Sequence, residues 1–170
     1  AMEKKIDLEN DKNLVDLIRK VDINFVDEQI FLNNSNVSKK IRYETVGKSA
    51  SIIAKHLKLR KEILTFQRKF FQGNGLVAEG RDMTTVVFPN ADLKIYLDAS
   101  VKERAKRRYK QLMKKGKDVS IQNLTDDIVA RDKLDMERIH SPLSIAYDAF
   151  VLNSDDLNID QTVNKILKLI

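Results

Sequence analysis

Strand-length apolar runs alternate with helix-length amphipathic segments through the second half of this 170-residue chain. The runs Leu76–Ala78, "LKIYLDA" from Leu93 and "AFVLNS" from Ala149 are predicted strands. Predicted helices begin at about Val101 and span Ile121–Glu137. Because parallel strands are joined through a crossover helix, this alternation predicts an α/β fold with a parallel sheet flanked by helices. In such sheets, ligands bind beyond the carboxyl ends of the strands.

The amino-terminal part of the chain has a different pattern, with helical segments around a small hairpin. The spacing of Leu14, Leu17 and Ile18 predicts a first helix. The turn pairs Asp27-Glu28 and Asn33-Asn34 divide the next stretch into short strands. This division predicts a small antiparallel hairpin.

Three more helices are predicted from capping and periodicity. Ser38 is a candidate N-cap for a helix that runs to about Lys55. A helix of roughly 15 residues with one apolar stripe comes next, and the "GNG" stretch at 73–75 breaks it. A closing amphipathic helix is predicted over Ile159–Ile170. The stripe of the middle helix consists of Leu59, Ile63, Phe66 and Phe70.

Net charge and residue usage limit the functions open to the chain. The 31 basic and 25 acidic residues give a formal charge of +6, which indicates an anionic partner such as a nucleotide, nucleic acid or anionic lipid. The absence of cysteine fits a reducing compartment and leaves no thiolate metal site. His56 and His140 lie far apart in sequence, so neither a histidine metal site nor a catalytic triad is expected. No apolar run reaches the roughly 18 residues of a membrane span, and the charged start "AMEKKIDLEN" predicts no signal peptide.

A charged tetrapeptide, Glu79-Gly80-Arg81-Asp82, directly follows the predicted strand Leu76–Ala78. An anion-binding loop is expected at this position, the carboxyl end of a strand. The alternative is an ordinary turn, in which Gly80 sets the backbone and the charged side chains are solvated.

A second candidate cluster consists of Arg131, Asp135 and Arg138, spaced i, i+4 and i+7. This spacing projects the three side chains from one face of a helix. Guanidinium groups pair with phosphate oxygens, and a carboxylate accepts a hydrogen bond from a ribose hydroxyl. The alternative is a surface salt-bridge ladder, in which each pair contributes roughly a few tenths of a kcal/mol.

A third candidate is the basic face of the helix that begins near Val101. Arg104, Arg107 and Arg108 share this face, and Glu103 is the nearest acidic residue in sequence. Three interpretations remain open. The face is a solvated surface, a nucleic-acid patch with little aromatic interleaving for base stacking, or a lid whose arginines reach transferring phosphates.

The tripeptide Gly47-Lys48-Ser49 matches only the end of a phosphate-binding loop. The first glycine of that motif falls at Arg42, and no convincing strand precedes the segment. We therefore expect these residues to lie inside the helix that starts near Ser38.

Three stretches of the sequence together resemble bacterial cytidylate kinase, a family of nucleoside monophosphate kinases. They are "GRDMTTVVFPNADLKIYLDAS", "RDKLDMERIHSPLSIAYDAFVLNS" and "ERAKRRYKQL". The resemblance covers essentially the whole chain, including the antiparallel insert near Ile23–Val37. It implies one kinase domain over 1–170 with a phosphate-loop-type fold, a CMP-side insert region at 20–50 and a helical lid at 101–120.

The resemblance also implies an activity and a set of site residues. The activity is magnesium-dependent transfer of the γ-phosphate of ATP to CMP or dCMP by a cytoplasmic monomer, with no nucleic-acid or membrane partner and no metal site on the protein. Residues similar to the family's cytosine-reading groups are Ser51, Arg60 and Asp82. Residues similar to its ribose and phosphate ligands are Arg81, Arg131, Asp135 and Arg138. The lid positions are Arg104, Arg107 and Arg108, and the catalytic set is Arg131, Arg138, Arg104 and Arg108.

The chemistry of the reaction agrees with these assignments. Cytosine presents a 4-amino donor where uracil presents an oxygen acceptor, so the Asp82 carboxylate can accept from cytosine and would repel uracil. A mismatch that leaves a buried group unpaired costs roughly 1–3 kcal/mol. Phosphoryl transfer needs mainly positioning and positive charge from the protein, which an arginine-rich site supplies.

The sequence departs from the family pattern in one respect. The family's glycine-rich phosphate loop has no counterpart in residues 1–170, so we expect the corresponding central strand to be absent from this chain. We also expect residues 1–170 alone not to transfer phosphate. Two alternative functions remain: another nucleoside monophosphate kinase, such as a UMP/CMP kinase, or a catalytically dead remnant that binds nucleotide or RNA.

Overall fold

A computed structural model describes residues 1–73 and 75–170. The chain divides into two compact units. The first contains Ala1–Val77 with Arg138–His140, and the second contains Ala78–Glu137 with Ser141–Ile170. In the described residues, no helix is long and apolar enough to cross a membrane. The single kinase domain, the insert region and the lid remain predictions.

The first unit combines three helices with a small antiparallel sheet. Helix α1 packs against α3, and Leu14 and Leu59 are buried in this unit. The side-chain oxygen of Asn10 accepts from the backbone N–H of Asn13 and caps α1. The elements are α1 (Asp11–Ile18), β1 (Ile23–Val26), β2 (Gln29–Leu32), β3 (Ser35–Asn36), α2 (Glu44–Ile53) and α3 (Leu57–Arg68), with 3₁₀ turns at Met2–Lys4 and Lys40–Arg42.

The predicted antiparallel hairpin is confirmed, and a third short strand extends it. Ile23 lies opposite Leu32 across β1 and β2, and β3 pairs with β2 in turn. Both predicted turn pairs have positive φ angles, 45° and 62° at Asp27-Glu28 and 47° and 64° at Asn33-Asn34. Two-residue hairpin turns of type I′ require positive φ at both central residues. These turns are favoured in hairpins because their twist matches that of the flanking strands.

The prediction that Ser38 caps a helix to Lys55 is wrong. Helix α2 begins at Glu44, after a separate 3₁₀ turn, and ends at Ile53. The Ser38 hydroxyl oxygen instead accepts from the backbone N–H of Ile30 at 2.9 Å, and the hydroxyl donates to Asn36 at 2.7 Å. The hairpin therefore uses the side chain that the sequence pattern assigned to a helix.

Gly47, Lys48 and Ser49 lie in the interior of α2, as predicted. Lys48 pairs with Glu44 at 3.8 Å, one helical turn away. This segment is therefore helix and not a phosphate-binding loop.

Helix α3 is shorter than predicted, with 12 residues ending at Arg68. Phe70 lies beyond its end but still packs with the aromatic residues of this unit. Its ring makes edge-to-face contacts with Phe66 at 5.0 Å and with Phe25 of β1 at 5.2 Å. These contacts join the carboxyl end of α3 to the small sheet.

The second unit confirms the mixed α/β prediction, with a parallel pair of strands and three helices. Ile95 lies opposite Phe150 and Asp98 opposite Asn153, so the two carboxyl ends lie side by side. Within the described residues this sheet has two strands. The predicted absence of a central phosphate-loop strand remains a prediction. The elements are β4 (Ile95–Asp98), α4 (Val101–Met113), α5 (Ile121–Glu137), β5 (Phe150–Asn153) and α6 (Ile159–Leu167), with a π-helical turn at Met83–Val87.

Local signals explain where these helices begin. The Ser100 hydroxyl accepts from the backbone N–H of Glu103 and caps α4. Asn158 and Gln161 form a reciprocal capping box at the start of α6, which ends three residues before the predicted Ile170. Helix α5 has the predicted bounds, and α4 packs against it with Ala105 and Leu112 buried.

The predicted strand Leu76–Ala78 is wrong. The structure assigns no strand there, and the Val77 side chain is fully exposed. A strand exists only where a neighbouring strand pairs its N–H and C=O groups. None of the described strands pairs with this segment, so an apolar run alone does not make it a strand.

Candidate active site

A buried carboxylate on α5 lies beside two arginines in the second unit and is hydrogen-bonded to one of them. Arg81 donates through Nε to Oδ2 of Asp135 at 2.9 Å. Arg131, one turn earlier on α5, brings its Nε to 3.9 Å from the same oxygen. The structure thus brings together three of the residues that the resemblance assigns to ribose and phosphate.

This cluster differs from an exposed salt-bridge ladder. Asp135 is only 3% exposed, and a buried carboxylate is strongly unfavourable unless it is paired. The Arg81 and Arg131 side chains are 42% and 50% exposed. Their remaining N–H donors therefore stay open to solvent, which suits binding of a phosphate group.

Asp82, next to Arg81, is also buried. Its backbone carbonyl accepts from the N–H groups of Val86 and Val87 at 2.9 and 3.1 Å, which starts the π-helical turn Met83–Val87. Sequence reasoning missed this turn, because π-helical turns have no distinct residue pattern. Such turns are rare in proteins, and many of those that do occur lie at functional sites.

Gly80 allows the chain to fold closely on itself before this turn. A Cβ atom at Gly80 would lie 2.7 Å from the terminal methyl group of Met83. A larger residue at position 80 would therefore displace the Met83 side chain beside the two candidate ligands Arg81 and Asp82.

Arg138 lies outside the helical spacing that linked it to Arg131 and Asp135. Helix α5 ends at Glu137, and Arg138 belongs to the first compact unit. Its assignment as a phosphate ligand remains a prediction from the resemblance.

Ser51 and Arg60, the other predicted cytosine-reading residues, belong to the first unit. Ser51 lies half-buried in α2, near its carboxyl end. Arg60 of α3 donates through Nη1 to the backbone carbonyl of Ala54 at 3.2 Å, at the end of α2. Arginine commonly binds free carbonyls in this way at a helix end, so Arg60 joins α3 to the helix that carries Ser51.

Two of the three arginines of α4 are held at the carboxyl ends of the parallel strands. Arg104 donates through Nε to the carbonyl of Ala99, after β4, at 2.9 Å, and its Nη2 lies 2.7 Å from Oδ2 of Asp132 on α5. Arg107 pairs with Glu103 at 3.1 Å and donates to both the hydroxyl and the carbonyl of Ser154, after β5.

Arg108 differs from these two arginines. It is half-buried, and within the described residues it has no hydrogen bond or ion pair. Arg108 is therefore the α4 arginine with the most unused hydrogen-bonding capacity for a ligand.

Asp132 is a residue that sequence reasoning missed. The nearest acidic residue in sequence to the α4 arginines is Glu103, but Arg104 takes its carboxylate from α5. The sequence did contain one indication of its role: Asp132 lies three residues before Asp135 and so shares its helical face. The two carboxylates each hold an arginine from a different segment of the chain.

A second missed feature is the buried lysine Lys94, just before β4. Its Nζ lies 2.6 Å from Oδ2 of Asp148 and 5.9 Å from the centre of the Tyr147 ring. The hydrogen bond from Lys94 lowers the pKa of the Asp148 carboxyl below its usual value. This pair ties the loop before β5 to β4.

The same loop is tied to the candidate site at its other end. The backbone N–H of Leu143 donates to the carbonyl of Asp135 at 2.7 Å. The loop 141–149 therefore has one fixed point at Asp135 and another at Lys94, and it supports the end of α5.

The second unit is thus an α/β structure whose exposed arginines are positioned by carboxylates, an arrangement that suits the binding of phosphate groups. Comparison with known proteins specifies the family. The sequence model described as cytidylate kinase matches residues 1–170, and the chain belongs to this family.

Curated relatives agree with the family match. The cytidylate kinase of Nitrosomonas europaea is 44% identical over 99% of this chain and 76% of its own length. That of Pseudomonas putida is 46% identical over 95% of this chain and 73% of its own. That of Bacillus subtilis is 39% identical over 100% of this chain and 78% of its own.

Proposed function

We propose that this chain serves the transfer of the γ-phosphate of ATP to CMP or dCMP, which gives CDP or dCDP for pyrimidine nucleotide metabolism. The observation that carries the proposal is the match of the cytidylate kinase family over residues 1–170. Relatives from three bacterial genera that bear the name cytidylate kinase support it.

The acceptor phosphate is assigned to Arg81 and Arg131. The buried Asp135 holds the Arg81 guanidinium by a hydrogen bond before any ligand arrives, so less conformational freedom of Arg81 is lost on binding. Arg131 contributes a second positive charge nearby, with its Nε 3.9 Å from the same carboxylate oxygen. The free donors of the two arginines would then bind phosphate oxygens. Arg138 is proposed as a further phosphate ligand on the resemblance.

The base is assigned to Asp82, which accepts from the 4-amino group of cytosine. Its burial supports this role, because discrimination by hydrogen bonding is strongest where water cannot replace the lost partner. Ser51 and Arg60 are proposed as further cytosine-reading groups on the resemblance.

The donor phosphates are assigned to Arg104 and Arg108 of α4, and Arg107 is proposed only as a further lid position on the resemblance. Positive charge placed where charge develops is the main protein contribution to phosphoryl transfer. In the described residues no group of three or more acidic, histidine or cysteine side chains forms a metal cage. Mg²⁺ is proposed on the resemblance, because in kinases it is bound largely through substrate phosphates, whose charge it neutralises.

The relatives' shared name favours this function over the two alternatives, a broader UMP/CMP kinase and an inactive nucleotide- or RNA-binding remnant. Calorimetric titration of the purified chain with CMP, dCMP, UMP and an RNA oligonucleotide, the last at two salt concentrations, distinguishes all three functions. We expect CMP and dCMP to bind more tightly than UMP. Equal affinity for CMP and UMP would favour the broader kinase, and salt-sensitive RNA binding without nucleotide binding would favour the remnant.

Turnover is measured separately. A coupled assay for CMP-dependent ADP release tests the expectation that residues 1–170 do not transfer phosphate without a phosphate loop. A rate near that of a complete family member would show that this expectation is wrong while supporting the proposed reaction.

A further inference from the structure

The guanidinium group of Arg104 is fixed from two sides at the carboxyl end of β4. Its Nε donates to the backbone carbonyl of Ala99 at 2.9 Å. Its Nη2 lies 2.7 Å from Oδ2 of Asp132. A carbonyl from the strand end and a carboxylate from α5 together determine the plane and direction of the fork.

This arrangement leaves part of the Arg104 fork unused. A guanidinium group has five N–H donors, and within the described residues nothing accepts from Nη1 of Arg104. The side chain is 33% exposed, so the unused donors can reach a ligand. They lie where α/β sheets bind ligands, beyond the carboxyl end of a strand.

Arg107 provides an internal comparison. Its Nε pairs with Glu103, and both of its terminal nitrogens donate to Ser154, which is almost fully buried. All three nitrogens of Arg107 therefore have partners in the protein. Arg107 therefore connects α4 to the end of β5, whereas the guanidinium group of Arg104 uses only some of its donors within the protein.

We propose that Asp132 is a positioning residue, which holds Arg104 so that its unused N–H donors face a phosphate group of the ATP donor. The inference rests on the proposed function and deepens it, because it names the residue that orients the donor-side arginine. Asp132 itself does not touch the phosphate. Its 16% exposed side chain has Arg104 as its partner in the described part of the chain.

The direction in which anion affinity changes when Asp132 loses its charge distinguishes a positioning role from a purely electrostatic one. Removing a negative charge near an anion site strengthens anion binding if charge alone matters. Removing a group that orients the binding arginine weakens it, because the fork must then be ordered when the ligand binds. Asp132→Asn therefore has opposite expected effects under the two explanations.

The first experiment measures binding of inorganic tripolyphosphate by calorimetry, with CMP titrated in parallel. We expect Asp132→Asn to weaken tripolyphosphate binding roughly tenfold, the equivalent of one hydrogen bond to a charged group, and to leave CMP affinity unchanged. The matched control is Asp126→Asn, which removes the same charge from α5 at a residue whose one side-chain hydrogen bond in the described part of the chain is with Gln122. This control should bind tripolyphosphate as tightly as the wild type or slightly more tightly.

A double-mutant test asks whether Asp132 acts through Arg104. In an Arg104→Gln background, Asp132→Asn should cause no further loss of tripolyphosphate affinity. A loss of the full size in that background, tighter binding by Asp132→Asn alone, or no tripolyphosphate binding by the wild type would overturn the proposal. Absence of CMP binding by the wild type would instead count against the proposed function.

A second measurement uses the wild-type chain alone, in case Asp132→Asn does not fold. Arginine Nε–H signals in ¹⁵N-correlated NMR spectra report on individual guanidinium groups. We expect the Arg104 Nε–H signal to be protected from solvent exchange before ligand is added, and the Arg104 side-chain signals to shift on addition of tripolyphosphate. Rapid exchange, or an unchanged Arg104 with shifts elsewhere, would overturn the proposal.

Discussion

Arg81 and Asp135 are 54 residues apart in sequence, and Nε of Arg81 donates to Oδ2 of Asp135 at 2.9 Å. The carboxylate is buried while the guanidinium is half-exposed. The contact therefore does two things: it compensates the burial of the Asp135 charge, and it orients an arginine whose other donors face solvent. The consequences of this pairing can be measured.

We expect Arg81 and Asp135 to be energetically coupled. In a double-mutant cycle of Arg81→Gln and Asp135→Asn, the coupling free energy of unfolding should be about 0.5–3 kcal/mol, the range for residues in direct contact. The lower part of that range is expected, because Arg81 is exposed enough for solvent screening to weaken the pair. Urea unfolding of the four proteins gives the value, and strictly additive effects would show that the contact does not form in solution.

We expect Asp82→Asn to reduce discrimination between CMP and UMP more than it reduces overall nucleotide affinity. The amide can present a donor to the uracil oxygen, so the ratio of the two dissociation constants should fall roughly tenfold, within the cost of one mismatched buried hydrogen bond. Calorimetry with both nucleotides measures the ratio. Asp92→Asn, at an exposed aspartate of the same unit, serves as the control. The assignment of Asp82 would be refuted if its variant kept the wild-type ratio.

We expect the Lys94–Asp148 pair to stabilise the fold in a pH-dependent manner. The hydrogen bond from Lys94 lowers the pKa of Asp148 in the folded chain. Its stabilising contribution is therefore fully present above the unfolded aspartate pKa of about 3.9 and is lost as the pH falls through the lower folded value. The free energy of unfolding of Asp148→Asn should be below that of the wild type near neutral pH, and the difference should shrink below about pH 4.

Urea unfolding of Asp148→Asn and wild type across this pH range makes the test. Asp118→Asn is the matched control, because Asp118 is exposed and forms no ion pair with the described residues. A wild-type advantage over Asp148→Asn that persisted unchanged into strong acid would contradict the assigned role of the ion pair.

We expect Ser38→Ala to weaken the hairpin without shortening helix α2. The Ser38 hydroxyl bonds to Ile30 and Asn36, so its loss should destabilise the chain by about 1 kcal/mol. Amide hydrogen exchange should increase at Ile30 and remain unchanged in Glu44–Ile53. Ser35→Ala, at an exposed residue of β3, is the control. Faster exchange at the start of α2 would revive the prediction that Ser38 caps a helix.

The sequence by itself determined the features that depend on neighbouring residues. The caps at Ser100 and Asn158 and the turn pairs at Asp27 and Asn33 arise from contacts within a few residues. Such contacts form in the same way wherever the segment lies in the fold. The family motifs are also contiguous stretches of sequence, so the resemblance does not depend on the tertiary structure.

Only the tertiary structure decided which distant groups meet. Leu76–Ala78 has the composition of a strand but pairs with none of the strands in residues 1–73 and 75–170, and Ser38 has the chemistry of a cap but bonds to the hairpin. Arg104 takes its carboxylate from Asp132 on another helix and not from Glu103 beside it. In each case the outcome depends on which hydrogen-bonding partner the folded chain brings within reach, and a periodic pattern along one segment carries no information about that partner.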